Sequence, residues 1–110
     1  MAGLQYKSVP SLFLGDATGS FADGRTATAF NPGPTNLQTV NGNLYVPKQF
    51  GPLDQTGTDM FAAAIDAVLG AANVRWVDDW GFYHAQFGEV HCGTVVKHSV
   101  LSIDWWLNQP

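Results

Sequence analysis

The chain lacks several features by which small proteins are commonly classified. Its 110 residues contain one cysteine, Cys92, which excludes an intrachain disulfide framework and favours a reducing compartment. No apolar run approaches the roughly 18 residues of a membrane-spanning helix, and the first residues lack the pattern of a signal peptide. We therefore expect a cytoplasmic protein with no membrane partner.

Charge is also scarce. Asp, Glu, Lys and Arg make up 13% of the chain, against about 25% in a typical soluble domain. The basic residues are scattered and the formal net charge is −4, so we expect no nucleic-acid partner. Four Trp, seven Phe and three Tyr supply much of the apolar area. This composition is consistent with a surface partly covered by protein outside these 110 residues.

The length fits one domain, and local patterns predict a β-hairpin followed by a helix. Asn41-Gly42-Asn43 separates two strand-like runs, Leu37 to Val40 and Leu44 to Val46, and Asn-Gly accepts the positive φ angles of a type I′ turn. Pro47 has no N–H for a strand ladder and ends the second strand. Apolar residues then recur at i, i+4, i+7 and i+8, the spacing of an amphipathic helix, at Phe61, Ile65, Val68 and Leu69.

Boundary residues support the helix, and β-rich runs surround it. Thr56 and Asp59 match a capping box, and Gly70 suits the helix end. Further strands are predicted from short apolar or β-branched runs at Leu12 to Leu14, near Phe30, at Val74 to Val77 and at Val90 to Val96, with a loop from Gly81 to Gly88. The order from residue 37 indicates mixed α/β structure with the helix covering one face of a sheet.

Cys92 is the first candidate for chemistry because it lies on the predicted final strand, just after a loop. A lone cysteine between Val90 and Val95 is, however, more often a small buried hydrophobe. A nucleophilic role requires a positive or hydrogen-bonding environment that favours the thiolate. On a strand, His91 would face away from Cys92, whereas Thr94 would share its face.

Other residues invite functional interpretations that have simpler alternatives. His84 could fold back towards Cys92, but a solvent-exposed loop histidine is commoner. Of Asp78 and Asp79 only one can face inward, and a solvated turn is the commoner role for such a pair. His84, His91, Cys92 and His98 lack the ligand spacing of a zinc site, so no metal site is predicted.

The aromatic residues between the predicted strands, and those near the end of the chain, would line a pocket or fill a core. We favour the core, because buried aromatics dominate core energetics. The residues concerned are Trp76, Trp80, Phe82, Tyr83, Phe87, Trp105 and Trp106.

Several segments resemble the C-terminal end of the protein-arginine deiminase family. In chain order they are Val9 to Phe13, Ala29 to Pro32, Asn36, Val46 to Pro52, Val77 to Trp80, Tyr83-His84, Gly88 to Thr94 and Trp105 to Pro110. The Gly-Glu-Val-His-Cys-Gly-Thr run is quite specific, and its Gly-x-x-His-Cys-x-Thr core is similar to that of the wider pentein superfamily. The resemblance covers nearly the whole chain.

The resemblance implies a five-bladed pentein α/β propeller built from ββαβ modules. Residues 1–110 would supply the last module and part of the preceding one, as the C-terminal portion of a catalytic domain. It also implies hydrolysis of peptidyl-arginine to peptidyl-citrulline and ammonia. In the family a thiolate attacks the guanidinium carbon, a histidine acts as acid and base, and two carboxylates hold the guanidinium nitrogens. The implied partners are an arginine-containing protein or peptide and the remaining blades.

Cys92 occupies the nucleophile's position, and it is the one residue whose role the resemblance carries over. The family's acid-base histidine and guanidinium-binding aspartates belong to earlier blades, so the roles are not given to His84, His91, Asp78 or Asp79, and no substrate-binding residue is assigned. Calcium is implied by the family only, because its acidic calcium-binding segments lie upstream.

Two departures from the vertebrate pattern bear on substrate binding. Gln86 stands where those enzymes carry an arginine near the substrate backbone, and Val95 replaces a usual asparagine. An amide cannot reproduce the donor fork of a guanidinium group. We therefore expect peptide binding to differ from that of the vertebrate enzymes.

Three hypotheses remain open. In the leading one the chain is the C-terminal part of a deiminase, inactive alone because the acid-base histidine and the carboxylates are elsewhere. The alternative is a non-catalytic binding or scaffold domain derived from a deiminase blade, with an ordinary thiol. The third is a complete small thiol enzyme that pairs His84 with Cys92.

Overall fold

The computed structural model describes residues 6–15 and 27–99, which form a small mixed α/β structure. The predictions for Trp105 and Trp106 lie outside these residues. The elements, in chain order, are β1 (Phe13–Gly15), β2 (Ala27–Ala29), β3 (Gln38–Val40), β4 (Asn43–Pro47), α1 (Met60–Leu69) and β5 (Val74–Val77). No helix within residues 6–15 and 27–99 is long and apolar enough to cross a membrane.

The predicted hairpin is confirmed. Its turn residues Asn41 and Gly42 have φ angles of 48° and 78°, the left-handed pair that a type I′ turn requires. Val40 pairs with Asn43 across this turn, and β4 ends at Pro47 as predicted. On its other side β4 pairs with β5 in parallel, so the sheet order is β3-β4-β5 with α1 in the crossover.

The predicted helix is confirmed, but its capping box is not. Asp59 is the N-cap, and its Oδ1 accepts hydrogen bonds from the backbone N–H groups of Phe61 and Ala62. The Thr56 hydroxyl instead donates to Asp54 at 2.7 Å within the preceding loop. Gly70 ends the helix as predicted, with a φ of 86° and its N–H bonded to the Asp66 carbonyl.

The core joins the helix to the sheet. Val46 of β4, Ile65 of α1 and Val74 of β5 are buried against one another. Partly buried apolar side chains surround this cluster, namely Val9, Leu37, Leu44, Leu69 and Trp76. Of the four residues predicted to form the apolar stripe of the helix, Ile65 and Leu69 therefore pack against the sheet.

A buried amide pair ties the first hairpin to the sheet. The two short strands predicted early in the chain pair as β1 and β2, with Phe13 opposite Ala29. Just after β2, the Asn31 side chain donates to Gln49 Oε1 at 2.9 Å and accepts from the Leu12 N–H at 2.8 Å. Gln49 has no exposed surface and donates to the carbonyls of Pro32 and Pro47. These bonds hold the first residues of the segment 31–36 in place.

The prediction of a final strand from Val90 to Val96 is wrong. Residues 90–93 form a turn and residues 94–99 have no regular structure. The Gly93 N–H bonds back to the carbonyls of Glu89 and Val90, and the Thr94 N–H bonds to that of His91. The backbone donors that a strand would use in a ladder are thus used locally. The predicted loop from Gly81 to Gly88 contains a 3₁₀ turn, His84–Gln86.

Candidate active site

Cys92 lies in a tight turn, which we call the cysteine turn (residues 89–94). The turn is attached to the segment before β3, because the His91 N–H donates to the Asn36 carbonyl at 3.2 Å. The Thr94 hydroxyl lies 3.4 Å from Gln38 Oε1 and 3.3 Å from the His91 carbonyl. Thr94 therefore links the turn to β3 instead of sharing a strand face with Cys92 as predicted.

The Cys92 thiol is exposed, so the interpretation as a buried hydrophobe is wrong. The Asn36 side-chain amide donates a hydrogen bond to Cys92 Sγ at 3.3 Å. This bond is the largest cause that lowers the pKa of Cys92, and a backbone hydrogen bond from Glu89 adds to it. Both bonds favour the thiolate, which is the nucleophilic form of cysteine.

His84 is not bonded to Cys92, and it is not the exposed loop histidine expected from the sequence. Its side chain is 10% exposed, with Nδ1 2.9 Å from Glu89 Oε1 and Nε2 3.3 Å from the Phe30 carbonyl oxygen. Both ring nitrogens thus lie within hydrogen-bond distance of oxygen atoms, and neither is hydrogen-bonded to Cys92. The hypothesis of a small enzyme pairing His84 with Cys92 loses its geometric basis.

Asp78 and Asp79 differ sharply in burial. Asp78 is exposed, whereas Asp79 is 2% exposed, so the solvated-turn interpretation is wrong for Asp79. Burial, followed by repulsion from the Glu89 carboxylate, raises the pKa of Asp79 to about 6. Within the described part of the chain, no hydrogen-bond partner is found for either Asp79 carboxylate oxygen or for Glu89 Oε2. The burial of Asp79 and the nearby Glu89 carboxylate therefore both favour the protonated form of Asp79.

Two residues of this site were missed as participants by the sequence analysis. Asn36 and Glu89 both lie in segments that carry the family resemblance, yet neither was given a role. Glu89 is only 7% exposed, and its carboxylate contacts the His84 ring inside the chain. Burial of a charged residue is rare without a partner, but it cannot be recognised before the fold is known.

The aromatic residues of this region do not form a core. Trp76 packs beside the core cluster, but Trp80, Phe82, Tyr83 and Phe87 are exposed. The centroid of the Trp80 ring lies 4.7 Å from that of the His84 ring. The remaining exposed aromatic area is surface that a neighbouring protein segment could bury.

The described residues do not fit a metal site. Among residues 6–15 and 27–99, no group of three or more His, Cys, Asp or Glu side chains could hold a metal ion. Calcium takes six to eight oxygen ligands, and the Asp79–Glu89 pair is enclosed beside an imidazole.

Comparison with known proteins gives consistent matches. The family model described as "Protein-arginine deiminase (PAD)" matches residues 4–107. Protein-arginine deiminase type-1 of Mus musculus is 34% identical over 104 residues, which are 93% of this chain and 14% of that protein. Type-3 of Rattus norvegicus is 31% identical over 100 residues, 89% of this chain and 14% of that protein. Type-4 of Homo sapiens is 33% identical over 82 residues, 73% of this chain and 12% of that protein. The chain thus spans about one seventh of the length of these relatives.

Proposed function

Because the chain belongs to the protein-arginine deiminase family, we propose that it carries the nucleophilic cysteine of a deiminase that converts peptidyl-arginine to peptidyl-citrulline. Cys92 is that nucleophile. The observation that carries this proposal is the hydrogen bond from Asn36 to the Cys92 thiol, in a turn open to solvent. An exposed thiol with a lowered pKa can reach a substrate side chain and attack it.

The chemistry divides into two displacements. The Cys92 thiolate attacks the guanidinium carbon, the C–N bond breaks, and ammonia leaves with a proton from a general acid. Water, deprotonated by a general base, then attacks the same carbon and breaks the C–S bond. Peptidyl-citrulline is released and the thiolate is restored.

We assign the acid-base and guanidinium-binding roles to other parts of the enzyme. His84 already uses both ring nitrogens, and Asp79 and Glu89 are buried against each other. The exposed aromatic side chains beside the site, among them Phe82 and Phe87, support an arrangement in which further blades cover this surface. The partners of the chain are then the remaining blades and an arginine-containing protein or peptide.

The order of elements supports a place in a pentein propeller. Strands β3 and β4, helix α1 and strand β5 follow one another as ββαβ. We propose that residues 38–77 form one such module and that β1 and β2 belong to the preceding one. The cysteine turn follows the last strand of the module, where a loop can contribute to a shared site.

A graft tests the proposed function. The 104 residues of the mouse type-1 enzyme that match this chain are replaced by the matched residues of this chain; we call the product the graft protein. We expect it to release citrulline from benzoyl-arginine amide in the presence of calcium. The Cys92→Ser graft protein should show only background release, because a hydroxyl lacks the nucleophilicity of a thiolate.

Folding of each graft is checked by thermal unfolding before activity is measured. A folded graft protein without citrulline release contradicts the proposal and favours the non-catalytic binding or scaffold domain. Activity retained by Cys92→Ser also contradicts it. If the long graft does not fold, a shorter graft replaces only the segment that corresponds to residues 77–99. It tests the same role of Cys92 with fewer new contacts.

A further inference from the structure

The side chain of Glu89 connects three segments of the chain. Its Oε1 accepts a hydrogen bond from the Gly33 N–H at 3.2 Å and lies 2.9 Å from His84 Nδ1. His84 in turn reaches the Phe30 carbonyl through Nε2 at 3.3 Å. One nearly buried carboxylate thereby joins the segment after β2, the 3₁₀ turn and the cysteine turn.

The backbone of Glu89 is part of the environment of the thiol. Its carbonyl accepts the Gly93 N–H at 3.2 Å, which closes the cysteine turn around Cys92. Its backbone also makes a hydrogen bond that lowers the pKa of the Cys92 thiol.

No regular secondary structure holds this region between β5 and residue 99, apart from the 3₁₀ turn His84–Gln86. Outside the turn's own bonds, the cysteine turn is held by Asn36, by the contact of Thr94 with Gln38 and by the Glu89 side chain. A residue without a sheet or helix around it keeps its geometry only through such anchors.

Several titratable groups surround the Glu89 carboxylate and the Cys92 thiol. Asp79 and His84 face the Glu89 carboxylate, and His84 supplies a donor to it. The thiol is faced by Glu89 and flanked by His91, and the Tyr83 ring packs against Gly93. The charge of Glu89 by itself raises the pKa of Cys92, so any benefit to the thiolate comes from position and not from charge.

We propose that Glu89 is a positioning residue for Cys92: its side chain, held by the Gly33 amide and His84, fixes the cysteine turn so that the Glu89 backbone and the Asn36 amide both point at the thiol. The inference rests on the proposed function only in taking Cys92 as the nucleophile. An uncharged hydrogen-bond acceptor at the same place should hold the cysteine turn as well as the carboxylate does.

Two substitutions in the 110-residue chain separate position from charge. Glu89→Gln keeps an acceptor oxygen for Gly33 and His84 and can donate its amide to Asp79, whereas Glu89→Ala removes the acceptor. Both remove the same charge. The measurement is the rate of Cys92 alkylation by iodoacetamide from pH 5 to pH 10, with a blocked free cysteine as the reference and Cys92→Ser as the blank.

We expect Glu89→Gln to react at neutral pH at least as fast as the unsubstituted chain. Glu89→Ala should react severalfold more slowly than Glu89→Gln, with a midpoint moved towards that of the free cysteine. A merely structural contact would not move this midpoint in a folded protein. If thermal unfolding shows that the Glu89→Ala chain is not folded, Glu89→Met takes its place, because it fills the space without supplying an acceptor.

Equal rates and midpoints for Glu89→Gln and the variant without an acceptor would overturn the inference. A Glu89→Gln chain that reacts more slowly than the unsubstituted chain would overturn it too, because the carboxylate charge would then be required. Alkylation needs no guanidine substrate, so these outcomes are independent of whether the graft protein releases citrulline. The proposed function and the role of Glu89 can therefore fail separately.

Discussion

The side-chain amide of Asn36 donates a hydrogen bond to the Sγ of Cys92 at 3.3 Å, although the two residues lie 56 positions apart in the sequence. The backbone carbonyl of Asn36 also accepts the His91 N–H at 3.2 Å. A single residue before β3 thus holds both the backbone next to the cysteine and the thiol itself. We expect the reactivity of Cys92 to depend on this connection between distant segments.

Replacing Asn36 tests that dependence. Asn36→Leu removes the donor and should raise the pKa of Cys92, because the amide hydrogen bond is the largest cause that lowers it. We expect severalfold slower alkylation of the chain by iodoacetamide at pH 7 and little change at pH 10, where the thiol is ionised in either protein. Asn43→Leu, which removes an amide that bonds within the hairpin turn, is the matched control. Equal slowing in both variants would argue against a specific role for Asn36.

Asp79 should make stability depend on pH. Its pKa is raised from 3.8 to about 6, so the folded chain binds this proton more tightly than the unfolded chain does. Its contribution to stability is therefore fully present below about pH 4 and is lost as pH rises through 6. Asp79→Asn removes this loss. Relative to the unsubstituted chain it should gain stability with rising pH, up to about 3 kcal/mol at pH 8.

Urea unfolding at pH 4 and pH 8 measures that difference. The free energy of unfolding of each variant is compared with that of the unsubstituted chain at the same pH, because this difference cancels the titration of the other groups. Asp78→Asn is the control, because Asp78 is exposed and its substitution should have little effect at either pH. A gain for Asp79→Asn that is the same at both pH values would contradict the raised pKa of Asp79.

Gln49 should be among the most costly side chains to replace by an apolar one of similar size. Gln49→Leu leaves the carbonyls of Pro32 and Pro47 and the amide of Asn31 without their partner in a fully buried place. Each buried group left unpaired costs about 1–3 kcal/mol, so we expect a loss of at least about 3 kcal/mol in the free energy of unfolding. Gln55→Leu, at an exposed position, should change it by less than about 0.5 kcal/mol. Similar losses for the two variants would show that the buried amide pair contributes little.

The two candidate caps of α1 can be compared directly. Asp59→Ala removes the acceptor for the Phe61 and Ala62 N–H groups and should cost about 1–2 kcal/mol. Thr56→Ala removes only hydroxyl contacts in an exposed loop and should cost less. Urea unfolding of both variants decides between them. A larger loss for Thr56→Ala would restore the capping box predicted from the sequence.

The elements that could be predicted are those whose causes are local. Asn41-Gly42 accepts two positive φ angles, and this decides the hairpin whatever surrounds it. The helix follows from a spacing that places Ile65 and its apolar neighbours on one face, and Gly70 ends it without steric cost. Neither inference required knowledge of a distant residue.

The parts that could not be predicted depend on distant contacts. Val90, Val95 and Val96 favour a strand by propensity, but the His91 N–H bonds to Asn36 and the Gly93 N–H bonds back within the turn. The same holds for His84 and Asp79, whose burial is set by Glu89 and by the segment after β2. The sequence motif identified Cys92. The groups that lower the pKa of its thiol, Asn36 and the Glu89 backbone, could be recognised only once the fold was known.

In the proposed reaction the Cys92 thiol performs the first displacement on the guanidinium carbon. The most direct test is the site of covalent labelling by 2-chloroacetamidine, a reagent that resembles a guanidinium group, in the active graft protein. We expect one adduct, found on Cys92 by mass spectrometry, that forms at the same rate as activity is lost and more slowly in the presence of benzoyl-arginine amide. Loss of activity with Cys92 unmodified, or full modification of Cys92 with activity retained, would contradict it.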